Sequence, residues 1–393
     1  MWATPRIDTV LNLQPLRYWW YQQLTQLQPR PLLPHHAKIV LIGDNERWGP
    51  DLDYGATPTN REYLAKLVDA LAAANAKVIA LDFDVRLPDP DKPASPGDFS
   101  GIPPQTLAGV KKLVGAIANA ANAGHMIVLP RTVVFAGAGG YQTTPDIYQP
   151  FGICIRRNGE TWDNPGLGNL LSHAGRANIS CGYIALPYDM RLMPPRLILT
   201  SGEPIDSFSY AIAKAKDPDV ANAAIVEDSY GSYIPRSVME ERHAIFTPKD
   251  VFGNSPDTRE RIDGNAVIIG GEWHEKAKGS GHQVDMHLTP IGITSGAIVH
   301  ANFAEAILDS RIHPEVPEWL LRLAEVVFSL AAVFVFAAIS RGKLQLAAFA
   351  GLCVALVLIQ IGALQQFGVF FEAFVPLVGL FLHATGERLA GAH

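Results

Sequence analysis

The acidic residues best placed to do chemistry follow short apolar runs with the composition of buried strands. Asp44 comes directly after the run 38–43, and Asp82 and Asp84 close the run that begins at residue 77. Ligands of an open α/β sheet bind beyond the carboxyl ends of its strands, so these three residues are ligand-binding candidates. Two carboxylates at this spacing could hold a cation or exchange a proton. Without a nucleophile nearby, we favour the alternative that they cap the loops that follow.

Three histidines and one carboxylate near residue 280 form the densest group of imidazoles in the chain. They are His274, His282, Asp285 and His287. Zinc accepts such ligands, so the three histidines are candidates for a metal site. Their spacing matches no zinc motif, however, and the lysines and glycines between them are typical of an exposed loop. Asp285 is in addition a ligand-binding candidate.

His300 and Asn302 are the remaining polar candidates, and both fall in a predicted helix over 295–308. Either could contact a ligand, although a buried, hydrogen-bonded structural role is more common for such residues. No glycine-rich phosphate loop follows the first strand, and no Walker A or GxSxG sequence occurs. We therefore predict no catalytic residue and no cofactor, and we expect a protein that is not an enzyme.

The elements that must position these residues alternate between strands and helices. Short β-branched runs predict buried strands, and apolar residues at helical spacing predict the helices between them. Thr59 or Asn60 is expected to cap one helix, and Asp206 or Ser207 another. This order predicts the α/β class, with a doubly wound, mostly parallel sheet and right-handed crossovers. The predicted strands are 38–43, 77–84, 126–129 and 265–271, and the main helices are 61–74, 106–123 and 295–308.

Charge is distributed unevenly along the 393 residues. The hydrophobic content of 48% excludes a fully disordered chain. The net charge of −6 gives no basic footprint for binding nucleic acid. Between residues 323 and 382 the charged residues are Glu325, Arg341, Lys343 and Glu372.

Three apolar stretches in this charge-poor region each approach the ~20 residues that cross a bilayer core. They predict transmembrane helices at about 319–340, 344–364 and 367–385. The alternative is a soluble three-helix core, but too little sequence surrounds these helices to cover every face. The chain is then divided into an N-terminal segment (1–36), an α/β domain (37–316), a transmembrane region (317–386) and a short tail (387–393).

Orientation and redox state are less constrained by the sequence. The positive-inside rule favours the cytoplasm for the loop that holds Arg341 and Lys343 and for the C-terminal tail. On charge alone we leave the orientation undecided, and the segment 1–36 lacks the apolar core of a signal peptide. Cys154 and Cys181 could pair in an oxidising compartment, but spacing does not determine a pairing.

The order of these pieces resembles the type 2 CHASE domain, a sensor module of bacterial signalling proteins. One matching piece is Asp285 together with Pro290. The three predicted spanning helices after the domain are also characteristic of the family. The remaining matching pieces are KIVLIGD at 38–44, KVIALDFDVRLPDPD at 77–91, IVLP at 127–130, GYIALPYDMRLMPP at 182–195, DSFSYAIA at 206–213, NAVIIGG at 265–271 and HANFAEAIL at 300–308.

The resemblance implies a domain on the periplasmic or extracellular side of the inner (plasma) membrane, with the C-terminus in the cytoplasm. In the family the usual receiver is a fused nucleotide cyclase or kinase. No effector lies before His393, so we expect a separate partner to receive the signal. After Asp44 the chain keeps only Trp48-Gly49-Pro50 of the tryptophan- and proline-rich stretch of relatives, which leaves a shared ligand site open.

The leading hypothesis is therefore a membrane-anchored, extracytoplasmic sensor that passes an unknown signal through its transmembrane helices. Its expected partners are the lipid bilayer, a separate signalling effector or the subunits of a membrane complex, and a second copy of the chain. One alternative is a structural or interaction subunit that has lost ligand sensing. A less favoured alternative is a membrane-anchored, metal-dependent enzyme.

Overall fold

The protein is described by a computed structural model. Asp84, Cys154 and the proline-rich segment 88–103 lie outside the described residues. The described residues are 14–27, 32–55, 59–83, 104–131, 133–135, 141–143, 170–187, 189–193, 195–200, 202, 204–223, 229–276, 280–314, six positions between 319 and 334, and 342–367.

A six-stranded parallel sheet forms the centre of the domain. Its strand order is β11-β1-β12-β2-β3-β6, and every neighbouring pair runs parallel. Short antiparallel hairpins and a three-stranded sheet, β17-β10-β7, surround it. The strands are β1 (Ala37–Ile42), β2 (Val78–Leu81), β3 (Met126–Arg131), β4 (Val133–Phe135), β5 (Tyr141–Thr143), β6 (Ile179–Tyr183), β7 (Leu192–Met193), β8 (Arg196–Ile198), β9 (Pro204–Asp206), β10 (Ser229–Gly231), β11 (Ile245–Phe246), β12 (Ala266–Gly271), β13 (His274–Lys276), β14 (Ser280–Gln283), β15 (Met286–Thr289), β16 (Gly292–Ser295) and β17 (Ile312–Pro314).

Helices cover both faces of this sheet. A short 3₁₀ helix, Pro50–Gly55, follows the first strand. The α-helices are α1 (Gln14–Gln26), α2 (Asp44–Arg47), α3 (Arg61–Ala73), α4 (Pro104–Asn122), α5 (His173–Ala177), α6 (Phe208–Lys216), α7 (Pro218–Ala223), α8 (Arg236–Glu241), α9 (Pro248–Gly253), α10 (Pro256–Ile262), α11 (Gly296–Leu308) and α12 (Gly342–Phe367).

The two faces carry separate cores because successive strand residues point to opposite sides. Val40 and Ile42 pack with α3 and α4 on one face, whereas Ile39 and Leu41 pack with α6 and α11 on the other. A sheet buried on both faces needs strands that are apolar throughout, which is why β1 is buried at every position. The predicted doubly wound, parallel α/β fold is confirmed.

Local sequence accounts for where the helices begin. Asn60 Oδ1 accepts hydrogen bonds from the backbone N–H groups of Glu62 and Tyr63, at 2.9 and 3.3 Å, and so caps α3. Ser207 Oγ caps α6 by accepting from Tyr210 N at 3.2 Å. Of each expected pair of caps, the second residue is the one used. The second strand ends at Leu81 rather than at residue 84, which places Asp82 directly beyond it.

The N-terminal helix α1 was not among the predicted elements. Its residues Tyr18, Tyr21 and Leu24 are buried, and at most 2% of the surface of each is exposed. The Tyr21 hydroxyl donates to Gly231 O at 2.8 Å, and the Tyr18 hydroxyl accepts from Met190 N at 2.9 Å. These contacts hold α1 against the domain, so part of the segment 1–36 packs with it.

The predicted transmembrane helices stay predictions. The second lies within α12, whereas most of 319–340 and everything after Phe367 lie outside the described residues. Searched over the described residues, no helix combines the length and apolarity needed to cross a bilayer.

Alanine substitutions at two glycines are expected to change the stability of this fold in opposite directions. A Cβ on Gly270 of β12 would overlap the Cβ of Ala297, whereas a Cβ on Gly115 of α4 would meet no atom within 4 Å. We expect Gly270→Ala to lower the free energy of unfolding by about 1–3 kcal/mol through overpacking. Gly115→Ala should raise it by up to about 1 kcal/mol, because alanine is the better helix former.

The measurement is thermal unfolding of the full chain in detergent, followed by circular dichroism. Equal melting temperatures for Gly270→Ala and the wild type would contradict the close contact between β12 and α11.

Candidate functional site

Asp44 pairs with His274 at the carboxyl ends of β1 and β12. Its two carboxylate oxygens accept from His274 N at 2.8 Å and contact His274 Nδ1 at 2.7 Å. Burial raises the pKa of Asp44, but these hydrogen bonds outweigh it and leave the pKa below its ordinary value. Asp44 therefore joins the start of α2 to the segment after β12, which is the capping role that the sequence favours.

Aromatic side chains cover this part of the sheet edge. Phe83 and Trp273 stack with ring centroids 6.0 Å apart. The Arg47 guanidinium lies 5.2 Å from the centre of the Trp273 ring and 5.9 Å from that of Trp48. Arg47 is only 6% exposed, so its guanidinium is packed between these rings, whereas the side chains of Asp44 and His274 stay about one third exposed.

Asp82 and Asp285 lie close enough at the neighbouring part of the sheet edge for the charge of Asp285 to act on Asp82. Asp82 directly follows β2, and Asp285 lies before β15 in a left-handed backbone conformation, φ +57°. Gly296 N, the first N–H of α11, donates to the Asp285 backbone oxygen at 3.0 Å and to Oδ2 at 3.1 Å. Asp285 Oδ1 also contacts His287 Nε2 at 2.9 Å. Asp285 is thus the carboxylate that anchors the beginning of α11.

Asp82 has an unusual pKa. Burial raises the pKa of Asp82 to about 8, and the nearby charge of Asp285 adds to the shift. Asp82 is therefore largely protonated at neutral pH and can donate a hydrogen bond, whereas Asp285 accepts them. Two buried hydroxyls at the end of β16, Thr294 Oγ1 and Ser295 Oγ, have no hydrogen-bond partner among the described residues. The edge thus holds donors and acceptors that a polar ligand could satisfy.

His300 lies one turn further along α11 and lines a cleft beside it. Its Nδ1 is 2.9 Å from Ser209 Oγ on α6, and the backbone of Ile184 also hydrogen-bonds the ring. Burial lowers the pKa of His300 to about 4, so the imidazole is neutral at neutral pH. The other lining residues are mostly apolar: Tyr183, Ala185, Leu186, Pro187, Met193, Pro195, Ser207, Phe303 and Ile307.

Asn302 has a structural role. Its Oδ1 accepts from Ile234 N at 2.6 Å, and its Nδ2 donates to Ile298 O at 3.0 Å. The side chain is fully buried, so it ties α11 to the chain before α8. Both hydrogen bonds are satisfied inside the protein, and Asn302 does not join the sheet edge.

The three candidate metal-binding histidines do not converge. His274 pairs with Asp44, His287 pairs with Asp285, and His282 is exposed on β14. Within the residues that the structure describes, the group that could hold a metal is a different one. His36, Glu305 and Asp309 offer ligand atoms within 4.8 Å of one another.

This second group, at the far end of α11, fits an ion-pair network better than a metal site. Arg311 Nη2 lies 2.7 Å from Asp309 Oδ2, and His36 Nε2 lies 3.0 Å from Asp309 Oδ1. Glu305 Oε1 accepts from the backbone N–H groups of His36 and Ala37 at 2.7 and 3.1 Å. A guanidinium already neutralises Asp309. The sequence offered only the acidic Glu305 within a mostly apolar helix as a clue.

A family model, the CHASE2 domain, matches residues 3–340. The chain belongs to the CHASE2 family. This confirms the resemblance seen in the sequence, and CHASE2 domains are extracytoplasmic sensor domains. No curated protein and no solved structure matches the chain.

One charged pair of this CHASE2 domain was missed by the sequence analysis, although it lies in the matching piece 182–195. Arg191 is 1% exposed and binds both oxygens of Asp189, with Nε at 2.9 Å from Oδ1 and Nη2 at 2.6 Å from Oδ2. Its guanidinium also lies 6.0 Å from the Tyr18 ring centre and 5.7 Å from that of Tyr230. The Asp-x-Arg spacing was the available signal. The pair lies between the cleft and α1.

Asp82 gives the domain a predicted dependence on pH. Unfolded Asp82 titrates near 3.8 and folded Asp82 near 8, so between these values the folded state alone keeps the proton. The free energy of unfolding must then fall as pH rises through this window, with a slope of at most about 1.4 kcal/mol per pH unit. We expect Asp82→Asn to remove this slope between pH 5 and 8.

Chemical unfolding of the full chain at a series of pH values measures the slope. Asp257→Asn is the matched control: Asp257 is exposed and its hydrogen bond with Arg261 lowers its pKa, so its titration lies below this window. Parallel pH profiles for the wild type and Asp82→Asn would contradict a protonated Asp82.

Proposed function

We propose that this CHASE2 protein is a membrane-anchored, non-enzymatic sensor whose domain lies outside the cytoplasm. It detects a signal in the domain and passes it through its apolar helices to a separate partner. Membership of the CHASE2 family supports the sensor role and the extracytoplasmic side. The signal is received at the sheet edge around Asp82 and Asp285.

The observation that carries the proposal is the course of α11. The helix begins at Gly296, whose N–H donates to Asp285, and all thirteen of its residues are buried. At 1.5 Å per residue it extends about 20 Å through the domain. Strand β17 follows directly, and Pro314 at its end is five residues before Trp319 and the first apolar stretch. A displacement at the edge therefore has a packed path as far as β17, which directly precedes the predicted membrane segment in the sequence.

A second path joins the domain to α12. Strand β17 pairs with β10, whose Gly231 accepts the hydrogen bond from Tyr21 of α1. On α1, Trp20 Nε1 donates to Gln360 Oε1 at 3.1 Å, and Leu364 packs with Tyr21 and Leu24. The end of α12 is thus held on the domain by α1. The three-stranded sheet β17-β10-β7 is therefore connected to two apolar segments. One follows β17 in the chain, and the other ends at Leu364 and is held through α1.

Exposed apolar side chains support the membrane anchor. The six described positions between 319 and 334 are all helical and all apolar. Each is more than half exposed: Trp319, Leu323, Val326, Val327, Leu330 and Phe334. On α12, Leu344, Val354, Leu358 and Ile359 are exposed to a similar degree. A bilayer is the solvent that would cover such surfaces.

Counting the predicted crossings supports one orientation over the other. With three spans, the loop at 341–343 and the tail lie on the same side, opposite to the domain. Arg341, Lys343 and Arg388 then all lie on that side, which the positive-inside rule assigns to the cytoplasm. Cys181 is disulfide-bonded, which supports an oxidising compartment for the domain.

The described candidates for chemistry support a role without catalysis. Asp44 and His274 bind each other, Asp285 anchors α11, and His300 is buried against Ser209. These groups are engaged in holding elements together rather than converging on one reacting atom. The output is therefore a change of helix position, read by a separate effector, by subunits of a membrane complex or by a second copy of the chain.

Cysteine labelling in intact cells tests the topology. In a Cys353→Ala background, one cysteine at a time is placed at Glu241 in the domain, at Gly342 in the first loop, or at His393. We expect a membrane-impermeant maleimide to label the cysteine at 241 in intact cells, and those at 342 and 393 only after lysis. Labelling of 241 only after lysis would contradict an extracytoplasmic domain, and labelling of 241 and 342 from the same side would contradict the first crossing.

A further inference from the structure

Helix α1 has an apolar ridge that none of the described residues covers. Leu16 and Trp19 are 45% and 54% exposed, whereas Tyr18 and Tyr21 on the opposite face are buried against the domain. Leu16 and Trp19 are three residues apart, and uncharged Gln23 continues the same ridge one turn later. A large indole that is more than half exposed on a docked helix needs an explanation.

The depth of this ridge follows from its neighbour Trp20. The Trp20 indole donates to Gln360, which is 1% exposed and lies four residues before Leu364, the end of the second apolar stretch. Four residues of α-helix correspond to about 6 Å along the axis. If α12 crosses the bilayer, Trp20 lies about 6 Å inside the end of the apolar stretch. Trp19, whose ring centroid is 6.5 Å from that of Trp20, lies at a similar depth.

The composition of α1 suits that depth. The only charged residue of QPLRYWWYQQLTQ is Arg17, and the helix contains two tryptophans and two tyrosines. Tryptophan and tyrosine concentrate at the boundary between lipid headgroups and acyl chains, because one end of the ring is apolar and the other can hydrogen-bond. A helix that lies in this plane buries its apolar side only partly into the lipid.

We propose that α1 is an interfacial helix whose Leu16–Trp19 ridge lies on the outer surface of the lipid bilayer. The inference rests on the proposed membrane anchor and adds a contact between lipid and the domain itself. The lipid contact gives the domain a second attachment to the membrane, besides the chain connection that follows Pro314. Helix α1 also hydrogen-bonds Gly231 of β10, the neighbour of β17, and Gln360 of α12. A lipid contact of α1 would therefore hold both routes from the domain to the apolar segments at the membrane surface.

Quenching of tryptophan fluorescence by brominated lipid tests this contact. The full chain is reconstituted in nanodiscs of phosphatidylcholine, either unmodified or carrying bromine on the acyl chain near the headgroup. We expect brominated lipid to quench part of the wild-type emission, and Trp19→Phe to lose a distinct share of that quenching. Trp273→Phe is the control, because Trp273 is stacked on Phe83 inside the domain and its removal should leave the lipid-quenched emission unchanged.

The outcomes separate the two proposals. Recovery of the full chain in the soluble fraction after reconstitution would overturn the membrane anchor itself. A reconstituted chain in which Trp19→Phe keeps the whole wild-type quenching would overturn only the interfacial ridge. If Trp19→Phe instead abolished a dimer in the nanodisc without changing the quenching, the ridge would be an interface between two copies, and the lipid contact would be wrong.

Discussion

The constraint on which the rest of the structure depends is the complete burial of α11. Every residue from Gly296 to Leu308 is buried, between β1 and β12 on one side and α6 on the other. Protein interiors are packed at the density of organic crystals and transmit strain, so we expect a shift at one end of such a helix to be felt at the other. Its two ends are therefore coupled by packing rather than by any single hydrogen bond.

Both ends of α11 carry carboxylates that keep the helix in register. Asp285 accepts the first N–H of the helix at the sheet edge, and Glu305 accepts two N–H groups at the start of β1. Burial raises the pKa of Glu305, although these hydrogen bonds act against the shift. Glu305 is fully buried, and an unsatisfied buried polar group is costly, so its carboxyl fixes the position of the backbone that it contacts.

The sequence predicted the sheet well and its polar contacts poorly, for a physical reason. Strands such as 38–43 and 265–271 are legible because a sheet buried on both faces requires continuous apolar runs, and caps such as Asn60 act within four residues. The partners of Asp44 and Asn302 lie 230 and 68 residues away in the chain, and no local pattern encodes such distances. Helix α1 was missed because Leu24 is the only aliphatic residue among its described buried residues, and the others are tyrosines and polar residues.

Hydrogen exchange tests the central claim, that the sheet edge and the predicted membrane segments are joined through α11. Asp285→Ala removes the side-chain acceptor of Gly296 N, and Asp44→Ala is the control that releases His274 but leaves α11 anchored. In the full chain, measured by mass spectrometry, the account predicts that Asp285→Ala speeds amide exchange both at the start of α11 and in β17, about 20 Å away. Asp44→Ala should change exchange only around β13. Faster exchange at Gly296 with β17 unchanged would contradict the coupling.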